Sequence, residues 1–147
     1  RDGKWSLKTE VRIVDLAYSG AGALVVDHWT PNLVRNSDFE IHWLSKDAPD
    51  CWYPTKTAWE GDLIPLKDRA RYTLRLDWQD THGPGDVVLR FRPNTHPGLP
   101  VVDTAPFKPG TTEHAFTGSD KLKWAQILIR TTNAPTTLLK SVAITPE

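Results

Sequence analysis

The sequence predicts an all-β protein, a β-sandwich or jelly roll of about eight or nine antiparallel strands. Three observations predict it. Residues 71–79 alternate strictly, with Tyr72, Leu74, Leu76 and Trp78 on one side and Thr73, Arg75, Asp77 and Gln79 on the other. That is the period of a half-buried strand. No segment carries apolar residues at a convincing helical spacing. Twelve Pro and nine Gly divide the 147 residues into short extended runs, spaced as in a sandwich.

The elements follow in order. Residues 8–14 alternate around Val11 and Ile13 and form a first strand; Ser19-Gly20-Ala21-Gly22 is a turn; residues 23–29 form a second strand. Residues 50–53 are short and extended. Residues 57–66 carry Trp59, Ile64 and Leu66, with Pro65 at an edge or strand end. After the strand over 71–79, Thr81-His82-Gly83-Pro84-Gly85 is a break, and residues 86–92 alternate Val87, Leu89 and Phe91 against Val88, Arg90 and Arg92. Residues 93–110 form a long proline-rich loop. Strands over 113–117, 123–131 and 137–144 complete the set.

A chain of this length holds one domain with a sizeable core. Residues 4–31 and 123–146 also share a faint pattern, from Lys4-Trp5 and Lys123-Trp124 to Thr30-Pro31 and Thr145-Pro146. Residues 1–31 are therefore either two strands of this sandwich or the tail of a preceding similar module. The first is expected, because two orphan strands would leave an exposed edge. The start, Arg1-Asp2-Gly3-Lys4-Trp5, is not a signal peptide and reads as a cut inside a longer protein.

Composition excludes several classes of function. A net charge of zero argues against a nucleic-acid partner, and no run of 18 apolar residues is present to cross a membrane. The single Cys51 rules out an internal disulfide and a cysteine-built metal site, while leaving the compartment open. Five scattered His and the absence of nucleotide or nucleophile fingerprints make catalysis the minor reading. An enzyme would need two facing carboxylates, for which Asp77 with Asp80 or Asp86 are the available pairs. Seven Trp, by contrast, is several times ordinary usage, and tryptophan serves where a flat apolar face is wanted.

The segment Asn32-Leu33-Val34-Arg35-Asn36-Ser37-Asp38-Phe39-Glu40 reads as a short apolar strand and an Asx-type turn. Leu33 and Phe39 can anchor in a core, and Glu40, beside a buried aromatic, needs a backbone donor, a cation or a metal. The segment resembles the opening of the galactose-binding-like jelly rolls among carbohydrate-binding modules, chiefly the cellulose- and xylan-binding type. A second similar feature is Ile64-Pro65-Leu66 followed by Arg71-Tyr72-Thr73-Leu74-Arg75-Leu76. In those modules a glycine normally precedes that strand; this chain has Asp68-Arg69-Ala70. The resemblance extends loosely over residues 32–147. It implies a structural calcium near Glu40 with an acid from the closing strand. That strand has Lys140-Ser141, whereas the earlier copy of the pattern has Asp27, so Glu40 and Asp27 are the candidate ligands. The alternative is Glu40 paired with an arginine or a backbone amide. No cofactor is otherwise required.

Two groups of side chains are candidates for ligand binding. Alternation turns Arg75, Asp77 and Gln79, then Arg90 and Arg92, then Trp124, Gln126 and Arg130 away from the core. On one surface these would suit a sugar: planar polar groups bond paired hydroxyls, and an indole stacks on a pyranose. Clustered arginines would also suit a uronate or sulfate. The alternative is a solvated face laced with salt bridges. Trp52, Tyr53 and Trp59 are either an aromatic platform or, for at least one tryptophan, core plugs. Trp78 reads as core; Trp29 and Trp43 have no assignment. The expected function is a non-catalytic carbohydrate-binding module, secreted or periplasmic. It would hold a covalently linked polysaccharide-degrading enzyme on a polysaccharide or oligosaccharide. The alternatives are a structural accessory sandwich without glycan binding and a protein-binding or adhesin module.

Overall fold

The computed structural model describes residues 11–18, 24–96 and 100–147, and for 11–18 and 24–31 the backbone alone. The turn expected at 19–22 and the chain start lie outside the described residues. The chain is all-β. Strands β1 (Val11–Tyr18) and β2 (Leu24–Pro31) pair with each other in a two-stranded antiparallel ladder of their own.

Nine strands form two antiparallel sheets. The first has six: β3 (Trp52–Pro54), β4 (Trp59–Gly61), β5 (Ile64–Pro65), β7 (Asp86–Arg92), β8 (Val102–Asp103) and β10 (Trp124–Arg130). Their order is β3-β4-β10-β7-β8, with β5 also on β10. The second is β11-β6-β9, built from β6 (Arg71–Trp78), β9 (Glu113–Thr117) and β11 (Leu139–Pro146). A short 3-10 turn, Pro135–Thr137, leads into β11. What reads as one strand over 57–66 is two, β4 and β5, broken at Asp62-Leu63 with Pro65 at the end of β5, and the proline-rich loop contains the short β8.

The alternation expected of the sequence builds the core of this sandwich. Tyr72, Leu74, Leu76 and Trp78 of β6, with Leu139, Val142 and Ile144 of β11, face Val87 and Leu89 of β7 and Ala125, Ile127 and Ile129 of β10. All are buried. Each Val, Leu and Ile side chain among them gains roughly 1.5–3 kcal/mol from leaving water. Toward one end the core turns aromatic: Phe116 of β9 stacks on Tyr72 and meets Phe91 edge-on, with centroids 5.4 and 5.6 Å apart.

Residues 32–39 fasten this core to its last strand. Leu33 N–H donates to the Ile144 carbonyl, and the Asn32 Oδ1 accepts from the Val34 and Ile144 amides. The Val142 amide donates to the Ser37 carbonyl. Phe39 then enters the core against Trp52, its ring centroid 5.1 Å away. Reaching that position puts Asn36 and Phe39 at φ 46° and 63°, a region costly for a bulky side chain. Asn36 holds the turn by donating to the Ile41 and Asp50 carbonyls and accepting from the Ile41 amide.

The turn before β6 contains the residue that stands in place of the expected glycine. Arg69 takes φ 62°, the left-handed conformation that glycine adopts without strain. Its amide donates to the Gly118 carbonyl, and Gly118 N–H donates to Ala70 O at 2.8 Å. Gly118 has no room for a side chain: a Cβ there would stand 2.2 Å from the Lys67 carbonyl oxygen. Gly118→Ala is therefore expected to cost about 1–3 kcal/mol by forcing the two turns apart. Chemical denaturation measures this, and an unchanged midpoint would mean the turns separate freely.

Candidate functional site

Cross-strand partners share a face, so the strand registers map the outer surface of the six-stranded sheet directly. One row runs Tyr53, Glu60, Leu128, Val88. The next runs Gln126, Arg90, Asp103, and the third pairs Trp124 with Arg92. At the opposite end Arg130 pairs with Asp86. Five of the expected ligand residues, Arg90, Arg92, Trp124, Gln126 and Arg130, thus share one surface, with Tyr53 on its edge strand. Tyr53 and Trp124 stand two strands and two rows apart, roughly 16 Å by sheet geometry.

Arg75, Asp77 and Gln79 do not join them. This corrects the expectation of a single polar surface. Alternation says which face of its own sheet a residue takes, but not which sheet the strand enters. β6 belongs to the three-stranded sheet, so Arg75 and Asp77 look out from the opposite side of the sandwich. Arg75 Nε donates to Glu113 at 3.2 Å and its Nη1 to Thr145 Oγ1 at 3.1 Å. Gln79 lies just past the strand, exposed, its backbone amide on the Leu138 carbonyl.

The outer surface is an interlocked network. Asp103 receives both Nε and Nη2 of Arg90, at 2.7 and 2.9 Å. Asp86 receives Nε and Nη2 of Arg130 and, at 3.2 Å, Lys108 Nζ. Both carboxyls are held below the ordinary aspartate range, chiefly by these guanidinium hydrogen bonds. Asp86 is accordingly an anchor with no proton to give near neutrality. Gln126, 7% exposed, donates to the Gly61 carbonyl at 2.9 Å and accepts Arg92 Nε at 3.1 Å. As a direct ligand contact Gln126 is therefore corrected: both ends of its amide serve the sheet.

The tryptophans divide by the fate of the indole N–H. Trp52 donates to Asn36 O, Trp59 to Asn133 O and Trp78 to Thr111 O. Trp52 is 2% exposed, which corrects its expected role in a platform: it is a core plug. Gly61 makes room for it, since a Cβ there would lie 3.1 Å from the indole. Trp59 is half-buried against the core, its edge pinned to Asn133. Trp124 is also half-buried, but its N–H meets no acceptor among the described residues, and Pro65 and Arg92 flank it. Tyr53 is 57% exposed. The Asp62 carboxylate beside it, then partial burial, pushes the phenol above its ordinary pKa and keeps it a hydrogen-bond donor.

Sequence reasoning leaves Trp43 unassigned, and it is the most exposed aromatic described. Trp43 and Leu44 are 87% and 89% exposed. Their loop is nonetheless well tied. The Asp50 carboxylate accepts both their amides, and His42 bonds the Phe39 and Ser45 carbonyls. The signal available in the sequence was Asp50 six and seven residues after an apolar pair, too common a pattern to single out.

For calcium, Glu40, expected to need a donor, a cation or a metal beside its buried aromatic neighbour, is exposed. The Asp27 side chain lies outside the described residues. Among the described residues no three His, Cys, Asp or Glu side chains cluster closely enough to hold a metal ion. No protein-family model matches the sequence, and no curated protein matches it.

Proposed function

We propose that this domain is a non-catalytic glycan-binding module whose binding surface is the outer face of the six-stranded sheet. One observation carries the reading. Trp124, its indole N–H uncommitted among the described residues, shares a sheet face with exposed Tyr53, and on the side of Trp124 away from Tyr53 the same face presents the Arg92–Gln126 and Arg90–Asp103 pairs. The two aromatic faces suit the C–H faces of sugar rings in an extended chain. Planar polar groups already locked by their neighbours offer hydrogen bonds at little further entropic cost. Each contact is modest, and the effect of such a module is to raise the local concentration of an attached polysaccharide-degrading enzyme. The jelly-roll resemblance of residues 32–40 supports the same reading, which implies an extracellular or periplasmic setting.

A second reading has its own observation. The tied loop presenting Trp43 and Leu44 is an apolar knob of the kind that packs on a neighbouring domain, as in a structural accessory sandwich. Affinity electrophoresis on β-glucan, xylan and acidic polysaccharides separates the two. Trp124→Ala and Tyr53→Ala are each expected to weaken retention by about 2 kcal/mol, roughly thirty-fold. Trp43→Ala should leave it unchanged. If folded protein is retained by no glycan, the module reading fails and the accessory sandwich stands.

A further inference from the structure

We propose that the binding surface selects anionic glycans, seating a uronate carboxylate or a sulfate on the Arg92 guanidinium beside Trp124; this rests on the glycan-binding reading above. Charge bookkeeping across the face points to Arg92. Of the cations there, Arg90 is forked by Asp103, and Arg130 and Lys108 share Asp86. Arg92 faces a neutral partner instead. Its Nε donates to the Gln126 Oε1, and Gln126 is fixed in turn by its bond to Gly61 O. That contact orients the guanidinium and cancels none of its charge. Nη1 and Nη2 meet no acceptor among the described residues. The nearby Asp103 carboxylate feels Arg92, yet both its oxygens are occupied by Arg90.

An oriented, half-buried guanidinium with its terminal nitrogens uncommitted matches a planar carboxylate or a sulfate by parallel hydrogen bonds. Arg92 and Trp124 are direct cross-strand partners. Their side chains therefore stand about 5 Å apart at Cβ, so one sugar can stack on the indole while its acidic substituent reaches the fork. A lysine would supply the charge without the fork.

The test is affinity electrophoresis of the whole chain in gels of neutral xylan and β-glucan, polygalacturonate and alginate as uronates, and dextran sulfate. Wild type, Arg92→Gln and Arg92→Lys are compared, each first checked by thermal melting. Retention on at least one acidic glycan about tenfold above its neutral counterparts is expected, lost about tenfold or more in Arg92→Gln and partly kept in Arg92→Lys. Retention on uronates alone, or on dextran sulfate alone, tells which anion is taken. Equal retention on neutral and acidic glycans, or acidic retention that Arg92→Gln leaves intact, overturns the proposal while the glycan-binding reading stands. Retention on none removes both.

Discussion

Replacing Trp52 with alanine is expected to destabilise the fold by about 3–5 kcal/mol, a large part of what a domain of this size possesses. The indole is buried between Phe39 and the glycine gap at Gly61, and its N–H satisfies the Asn36 carbonyl. Truncation opens a cavity and leaves that carbonyl with the Phe39 amide as its one remaining donor among the described residues. The loss also reaches beyond β3, because Asn36 organises the turn that delivers Phe39 and fastens residues 32–39 to β11. Trp52→Phe fills much of the space without the hydrogen bond and should cost less. Urea or guanidinium midpoints measure both. A shift under about 1 kcal/mol for Trp52→Ala would mean that the ring is not packed as a core plug.

Asp86 should carry the second large effect, with an acid signature. Asp86→Asn is expected to cost about 2 kcal/mol near neutral pH, since the aspartate side chain is only 9% exposed and binds two cations. The figure stays below that for a fully buried pair, because Arg130 and Lys108 are 44% and 71% exposed and can return to water. The sign follows from the depressed carboxyl pKa. The folded state prefers the ionised form, so the contribution is complete above the unfolded value of 3.8 and is lost as pH falls through the lower folded value. The gap between wild type and Asp86→Asn should thus be flat above about pH 5 and close below about pH 4. A gap that persisted at low pH would mean that the aspartate acts through packing instead of charge. Asp103, depressed by Arg90 in the same way, adds to the wild-type acid sensitivity and is common to both proteins.

Particular residues explain what the sequence discloses and what it withholds. β6 is legible because strict alternation over eight residues has one physical cause, a sheet wet on one side, whereas β7 is legible from its β-branched run although Val88 is buried on the outer face. The turn at residues 36–39 is legible because Asn, Ser and Asp bond to nearby backbone, as Asn36 does. Alternation is silent on sheet membership, so Arg75 and Arg90 read alike and end on opposite faces. It is silent too on whether a polar outward residue is already taken. Gln126 and Arg130 have the composition of a ligand site, yet their partners, Gly61 and Asp86, are 65 and 44 residues away in sequence. The tryptophans show the same limit. Trp52 and Trp124 look equivalent in the sequence, and what separates them is a carbonyl 16 residues from Trp52. Arg69 shows the converse: the glycine expected before β6 is missing, yet its backbone conformation is kept.

The clasp between residues 32–37 and β11 also sets an order of events. The hydrogen bond from Ile144 N–H to Asn32 closes a span of 112 residues, and β11 lies between that segment and β6. During synthesis the first half of the sandwich emerges with its mate still unmade, and Leu74, Leu76 and Phe39 lack the strand that covers them. Long-range pairing of this kind is slow, because the chain entropy is lost before the contacts that offset it are gained. The interval before the last strand arrives is when the nascent chain is most exposed to mispairing with its neighbours.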